Sequence, residues 1–464
     1  MEQQETVQRL TNIVAELATL PFSADDAERI DRVAVLDRVM AAASAAQMSL
    51  TCEFATSQIA AQAAQGVPEA RRGRGVAEQI AYARKISPAT AARQLTTAQA
   101  LTREMRKTYV LLAVGAISAW VATLVARETV VLDPPERARV DSQLAPDLPA
   151  MSPREAETAA RRLCIEADPQ AAVRHASKAR KDRRVSLRPA PDTMAVLSAL
   201  VPVEQGVAAW ASLDSHARTL RATGDPRSLD QLRSDTLIER INGQPSADIV
   251  PVEIRLIMPV DSLLDEGDEA ATLDGFGPIP ADVARDIATR AGATRAGASE
   301  DEIRRARTFI RRIFTDPIDD TAVHVDPRAR TFTGALARFI RARDQWCRDP
   351  YCTAPVRHLD HATPHRSGGE TTADNGQGRC ERGNYVKEMP GWSATPDGPD
   401  RVSSVTTPTG HTYPSRPPPA LGPGANVRQR RHRAALRRVR FLQRERAARQ
   451  RPPPTRSEQR PRMR

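Results

Sequence analysis

Between Trp346 and Trp392 the chain reads Cys347-Arg-Asp-Pro-Tyr-Cys352, then His358-Leu-Asp360-His361, then Gly368-Gly369-Glu-Thr371, followed by Asn375, Cys380, Asn384 and Lys387. Three of the five cysteines and three of the eight histidines in 464 residues lie in this one stretch. Thiols, imidazoles and carboxylates collect locally mainly when a metal organises them or a reaction needs them together.

Two kinds of chemistry are written there. Cys347 and Cys352 form a knuckle-like pair, and Cys380 is a third thiol downstream. A structural zinc site takes four ligands, usually as two close pairs. The fourth belongs about three residues after Cys380, where the chain has Gly383. The pattern is therefore three thiolates and a gap. His358, His365 or a water would complete the shell, and three reduced cysteines without metal is the plain alternative. Asp360-His361 is an adjacent carboxylate and imidazole, beside Pro364 and Gly368-Gly369, as at a strand running into a turn. A carboxylate suits a hard divalent cation, and an imidazole titrating near neutrality suits removal of a proton from water.

Asp360-His361, Gly368-Gly369-x-Thr371, Asn375, Cys380 and Asn384-x-x-Lys387 together resemble the HNH endonuclease signature of the ββα-metal, or His-Me finger, nucleases. The flanks Arg343-Asp344-x-x-Cys347-Arg348, Pro390-Gly391-Trp392 and Thr407-Pro-Thr-Gly-His-Thr412 are similar to the borders of such a module. The resemblance implies metal-dependent hydrolysis of DNA phosphodiester bonds, with double-stranded DNA as partner. It implies His361 as general base and Asp360 as ligand of one catalytic cation, Mg²⁺ or another divalent ion. Asn375 would pin the loop between two strands, and Lys387 would face a phosphate. The last signature position, often His, is Asn384, whose side-chain oxygen suits a hard cation. Cys347, Cys352 and Cys380 would hold a structural Zn²⁺, with Gly383 where related modules carry a Cys or His ligand. The alternative is a catalytically impaired nucleic-acid-binding protein that retains the HNH fold. Upstream, Ile117-Ser118-Ala-Trp120, Gly224-Asp-Pro-Arg227 and Gly277-Pro-Ile-Pro280 resemble the actinobacterial domain of unknown function 222, which commonly precedes such modules.

The elements that must carry these residues are mainly helical by composition. Apolar residues make up 40 % but aromatics only 4 %, so the core is largely Ala, Leu, Val and Ile, which favours helix over sheet. The reading is a multi-helical region over 1–182, a small α+β subdomain over 183–300, a helical connector over 301–332, the HNH-like module over 333–414 and a Pro/Arg-rich basic tail over 415–464. Within the subdomain, Arg184–Arg188 and Val250–Met258 read as strands enclosing helices at Val203–Leu220 and Arg227–Ile241. Gly277-Pro-Ile-Pro280 reads as a helix start, and Glu300–Phe314 as a basic helix. Tyr109–Ala126 carries no charge over a span near the threshold for crossing a bilayer. Gly115-Ala-Ile-Ser118 interrupts it, which predicts two helices of a buried hairpin and no membrane. Cys52 and Cys164 sit in Ala-rich helical surroundings, as small core residues. Five unevenly placed cysteines do not make a disulfide scaffold, and no basic, apolar leader opens the chain; both fit the cytoplasm. Protein partners are not legible.

The charge is uneven. Of 63 Arg and 5 Lys, 15 Arg fall in residues 425–464 against two Glu, so that segment carries +13 of the net +11 and the remainder sums to −2. A polycation without aromatics for base stacking, apart from Phe441, grips phosphate without reading sequence. Truncation after residue 424 is expected to weaken binding to all DNA sequences alike. For each phosphate that the tail no longer neutralises, the log K versus log salt slope should flatten by roughly 0.9 on duplex DNA. An unchanged affinity and slope would show that the tail's charge is not used on DNA.

Overall fold

A computed structural model describes residues 2–23, 25–247, 256–257, 270–273, 276–292, 331–398 and 401–418. The chain is mainly helical with small sheets, and it divides into two compact units, Met1–Asp182 and Arg183–Arg464.

The first unit consists of α1 (Glu2–Ala18), α2 (Asp26–Ala64), α3 (Val76–Arg84), α4 (Pro88–Arg103), α5 (Arg106–Ala113), α6 (Ala119–Glu128), α7 (Pro134–Leu144), α8 (Pro153–Ala167) and α9 (Pro169–Lys181). Their starts are chemically specified. Asp25, Ser87, Ser118, Ser152 and Asp168 each accept a first-turn N–H, and Pro opens α4, α7, α8 and α9. Leu101, Met105, Leu112, Ile117, Val121, Val125, Leu144 and Leu148 form the main core, with Ala41 and Ala45 of α2 against them. The uncharged stretch thus folds as the expected hairpin, α5 then α6. Its turn is at Gly115 (φ 73°), where a Cβ would stand 2.7 Å from that of Arg38. By length and composition α2 alone among the described helices is long and apolar enough to cross a membrane. Its buried positions are Ala41, Ala45, Cys52 and Ala55, and it packs on α4 and α5. Cys52 and Cys164 are both buried, as the sequence predicts.

The second unit opens with a hairpin of β1 (Arg184–Pro189) and β2 (Ala195–Leu200), then α10 (Val203–Ala222) packed on α11 (Leu229–Asn242). This corrects the strand–helix–helix–strand reading. Asp192 and Thr193, both at positive φ, turn the chain so that β1 pairs with β2 at once, before the helices. Of the second strand expected at 250–258, only β3 (Leu256–Ile257) is among the described residues, and it pairs with β4 (Ala271–Leu273). Gly277-Pro-Ile279 is β5, the third strand of that sheet, and α12 (Ala281–Gly292) starts only after Pro280. The helix expected at 300–314 and the basic tail from 425 lie outside the described residues, as does most of the connector at 301–332.

Residues 331–418 build α13 (Gly334–Asp344), β6 (His358–His361), β7 (Gly376–Arg379), α14 (Glu381–Val386), β8 (Ser393–Ala394), β9 (Ser403–Thr406) and β10 (Thr412–Ser415). β6 and β7 are antiparallel; β8, β9 and β10 form a separate sheet in the order β10-β9-β8. Phe332, Leu336, Ala337 and Ile340 of the α13 segment form the apolar centre with Leu359 of β6. Gly376 permits that approach, since a Cβ there would lie 2.5 Å from Ile340 Cδ1. A buried ionic network completes the packing. Asp344 accepts from Arg343, from Arg348 and from the Gly378 N–H at 2.6 Å. Arg348 reaches on to Asp397 at 2.9 Å, Ser403 Oγ at 3.0 Å and the Ser415 carbonyl at 3.1 Å.

Asp141 plays a comparable part in the first unit. Its carboxylate accepts the Lys107 and Thr108 N–H groups at the start of α5 and the Thr108 hydroxyl. Asp141→Ala orphans buried donors, each costing about 1–3 kcal/mol. A destabilisation of about 3 kcal/mol is expected in the denaturant unfolding of this unit, and one under about 1 kcal/mol would show that water replaces the carboxylate.

Candidate functional site

The residues marked out by the sequence come together on β6, β7, α14 and the loop between the strands. In the β6–β7 register, Asp360 lies opposite Gln377 and His361 opposite Gly376. Successive strand residues face opposite sides, and the contacts follow that rule. Asp360 turns towards α14, whereas His361 turns towards α13 and the loop.

His361 is 7 % exposed. Its ring lies 4.5 Å from that of Phe332 and 5.7 Å from that of His365, centroid to centroid. Nε2 is 2.9 Å from Thr371 Oγ1. Burial pulls the imidazole pKa below its usual 6.5, outweighing the opposing field of Asp360, while His365 and Lys387 push the same way as burial. The ring is therefore neutral at neutral pH.

Asn375 acts as a clasp. Its Oδ1 accepts the Thr363 N–H at 2.8 Å, and its Nδ2 donates to the carbonyls of Thr363 (3.1 Å) and Glu370 (2.8 Å). One side chain thus ties both ends of the 363–370 loop beside His361.

Lys387 follows the last turn of α14 and is turned inward. Its ammonium contacts Asp360 Oδ2 at 2.8 Å, Glu388 Oε1 at 2.6 Å and the His361 carbonyl at 2.9 Å. This corrects the expectation that Lys387 faces a phosphate: its three donors are already engaged by three oxygens, and only 3 % of its side chain is exposed. Asp360 Oδ1 accepts the His361 N–H at 2.9 Å, so both carboxylate oxygens have partners. On α14, which packs against β6, the Oδ1 of Asn384 is buried and has no hydrogen-bond partner among the described residues. An orphaned buried acceptor is the feature that a hard cation satisfies, and Asp360 and Asn384 offer the oxygen donors it prefers.

The sulfurs of Cys347, Cys352 and Cys380 lie within 4.8 Å of one another, the one such metal-competent group among the described residues. Backbone donors hold two of them: Asp349 N–H reaches Cys347 Sγ at 3.4 Å and Gly383 N–H reaches Cys380 Sγ at 3.2 Å. Hydrogen bonds from Cys347 and Cys352 hold the Cys380 thiol well below its usual range, and the same contacts push Cys347 up. Cys352 is pushed up as well, so the three thiols share their protons around the one sulfur, Cys380, that the others and the Gly383 N–H favour as thiolate. Neither His358 nor His365 joins it. The His358 ring stands by Tyr385 and the His365 ring by His361.

Sequence reasoning missed four contributors. Thr371 orients the imidazole, Glu388 shares Lys387, and Asp349 pairs with Arg379 in buried surroundings beside the cysteines. Thr371 sits within the quoted motif and Asp349 between the cysteines, but partners on distant elements leave no local signal.

Asn375→Ala is expected to release the 363–370 loop. Amide exchange at Thr363 and across that loop should accelerate about ten-fold or more while the α13 amides stay protected. Unchanged exchange would mean that the turn holds itself.

Residues 33–344 match the family described as domain of unknown function (DUF222). The match stops before the first cysteine of the cluster. An uncharacterized protein of Mycobacterium tuberculosis, Rv3776, is 30 % identical over 217 residues, which is 40 % of this chain and 37 % of that protein. The chain thus aligns with little more than a third of that relative's length. No solved structure matches. With more than half of its residues inside the match, the chain belongs to the DUF222 family.

Proposed function

We propose that residues 333–414 are an HNH-type endonuclease module that hydrolyses DNA phosphodiester bonds. The observation that carries the reading is the buried imidazole of His361, fixed by Thr371 and by a loop that Asn375 clasps, on the strand that also carries Asp360 and against which the helix of Asn384 packs.

His361 is the general base. With Nε2 donating to Thr371 Oγ1, the lone pair of Nδ1 takes a proton from the attacking water. Phe332 packs against the ring, 4.5 Å from it centroid to centroid. Asp360 and Asn384 would hold a divalent cation such as Mg²⁺, which supplies stabilisation of the charge on the phosphate and its leaving oxygen. Lys387 pairs with Asp360 and anchors the His361 carbonyl, so it positions the strand end rather than touching substrate. The +13 segment at 425–464 supplies affinity for the DNA backbone.

The second reading, a nucleic-acid-binding protein without cleavage, is favoured by one observation. The Lys387 ammonium already answers the Asp360 charge, and Asp360 and His361 turn to different sides of β6. Under that reading DNA is bound but not nicked with any divalent ion.

Plasmid nicking with Mg²⁺ or Mn²⁺ separates the two. His361→Ala is expected to slow nicking by roughly 10²–10⁴ while DNA affinity stays within a few fold. A base works deprotonated, so activity should rise with pH through the imidazole pKa, with the midpoint below 6.5. A variant as fast as wild type, or a midpoint above 6.5, removes His361 from the role.

A further inference from the structure

We propose that Cys347, Cys352 and Cys380 form a three-sulfur metal centre whose fourth position is kept for a small donor from solution. The Asp349 carboxylate fills the place that a fourth protein ligand would need.

Gly383 marks that place. Its N–H donates to Cys380 Sγ at 3.2 Å, so its Cα stands on the rim of the sulfur cluster. A side chain grown there would place Cβ 2.5 Å from Asp349 Oδ2 and 2.9 Å from Asp349 Cγ. That volume is taken. Asp349 cannot readily leave it: the residue is buried, its N–H donates to Cys347 Sγ, and its Oδ1 is paired with the buried Arg379 guanidinium. Nor does Asp349 serve as the missing ligand. The group whose donor atoms lie mutually within 4.8 Å contains the three sulfurs and no carboxylate. The guanidinium of Arg379 already answers its charge. Cys347 and Cys352 are buried, while Cys380 is part-exposed, which leaves the open side of the centre towards solvent.

Three thiolates satisfy a soft ion with a trigonal preference, and they hold zinc with one exchangeable position. Zinc bound in this way keeps a water or a small exogenous thiolate. Trivalent arsenic is the sharper probe, since As(OH)₃ and three Cys–SH give As(S–Cys)₃ and three waters, with no change of oxidation state and no need of a fourth donor.

The arrangement also bears on repair of the site. Gly383→Cys would supply a fourth thiol, but alone it meets the Asp349 carboxylate. Only together with removal of that carboxylate should it reach the metal.

The test uses the full chain and does not depend on cleavage. The protein is loaded with Co²⁺, and the thiolate-to-cobalt charge-transfer band is read per metal. Wild type should show one metal per chain, three sulfurs, and a spectrum that shifts when a small thiol is added. Arsenite should bind one per chain and displace zinc. Asp349→Asn should retain zinc within a few fold, Gly383→Cys alone should still show three sulfurs, and Asp349→Ala/Gly383→Cys should show four and lose the response to added thiol. Loss of zinc affinity by about ten-fold or more in Asp349→Asn, with the sulfur count unchanged, would make Asp349 the fourth ligand and overturn the proposal. A wild-type cobalt spectrum indifferent to thiol, or no binding of zinc or arsenite, would overturn it too. The wild-type measurements need no variant, so a misfolded mutant leaves the proposal decidable.

Discussion

The C-terminal module depends on four buried charges that cancel. Asp344 closes α13, Arg348 sits inside the cysteine turn, Asp397 precedes β9, and Arg343 reaches back to the carbonyls of Ala373 and Gly376. Two carboxylates and two guanidiniums, all almost fully excluded from water, link α13, the cysteine turn and the segment before β9. Burying charge is unfavourable, and it is tolerated here because each guanidinium finds more than one oxygen. The arrangement is also demanding. Removing any one partner strands an uncompensated charge, which typically costs about 3–5 kcal/mol. A chain with few aromatics thus obtains by ionic geometry the fixed scaffold that a larger apolar core would otherwise provide.

The strand β7 shows why that scaffold matters to the site. Its sequence, Gly376-Gln-Gly-Arg379, has no strand-like pattern, yet every residue in it is buried. Asp344 fastens the Gly378 N–H from one side, and β6 pairs along the other. The position of His361, opposite Gly376, is therefore set in part by Asp344, which lies outside the run of residues from Asp360 to Lys387.

Legibility in the sequence followed locality. Helix starts in the first unit are local signals, because a Ser or Asp cap and a following Pro act within one turn, as at Ser87-Pro88. The hairpin at Gly115 could be read for the same reason. β2 could not, because Ala195-Val-Leu-Ser-Ala-Leu200 gains its partner only once Asp192 and Thr193 adopt positive φ. At the site, Asp360, His361 and Asn375 could be singled out by type and spacing, and they fall on β6 and the loop that joins it to β7. The inward turn of Lys387 was hidden, since its three acceptors lie on two residues of β6 and on Glu388. The plug at Gly383 was hidden too, because Asp349 reaches it from a distant part of the chain.

The clasp of Lys387 on Asp360 has a consequence for how the module assembles. An ammonium tethered by its own backbone acts at a high effective concentration, which dilution does not lower and a chelator does not strip. The negative charge of Asp360 is answered as soon as α14 docks on β6, whatever ions the solvent holds. Closure of α14 on β6 therefore needs no cation at the Asp360 carboxylate: the chain carries its own counter-ion for that position.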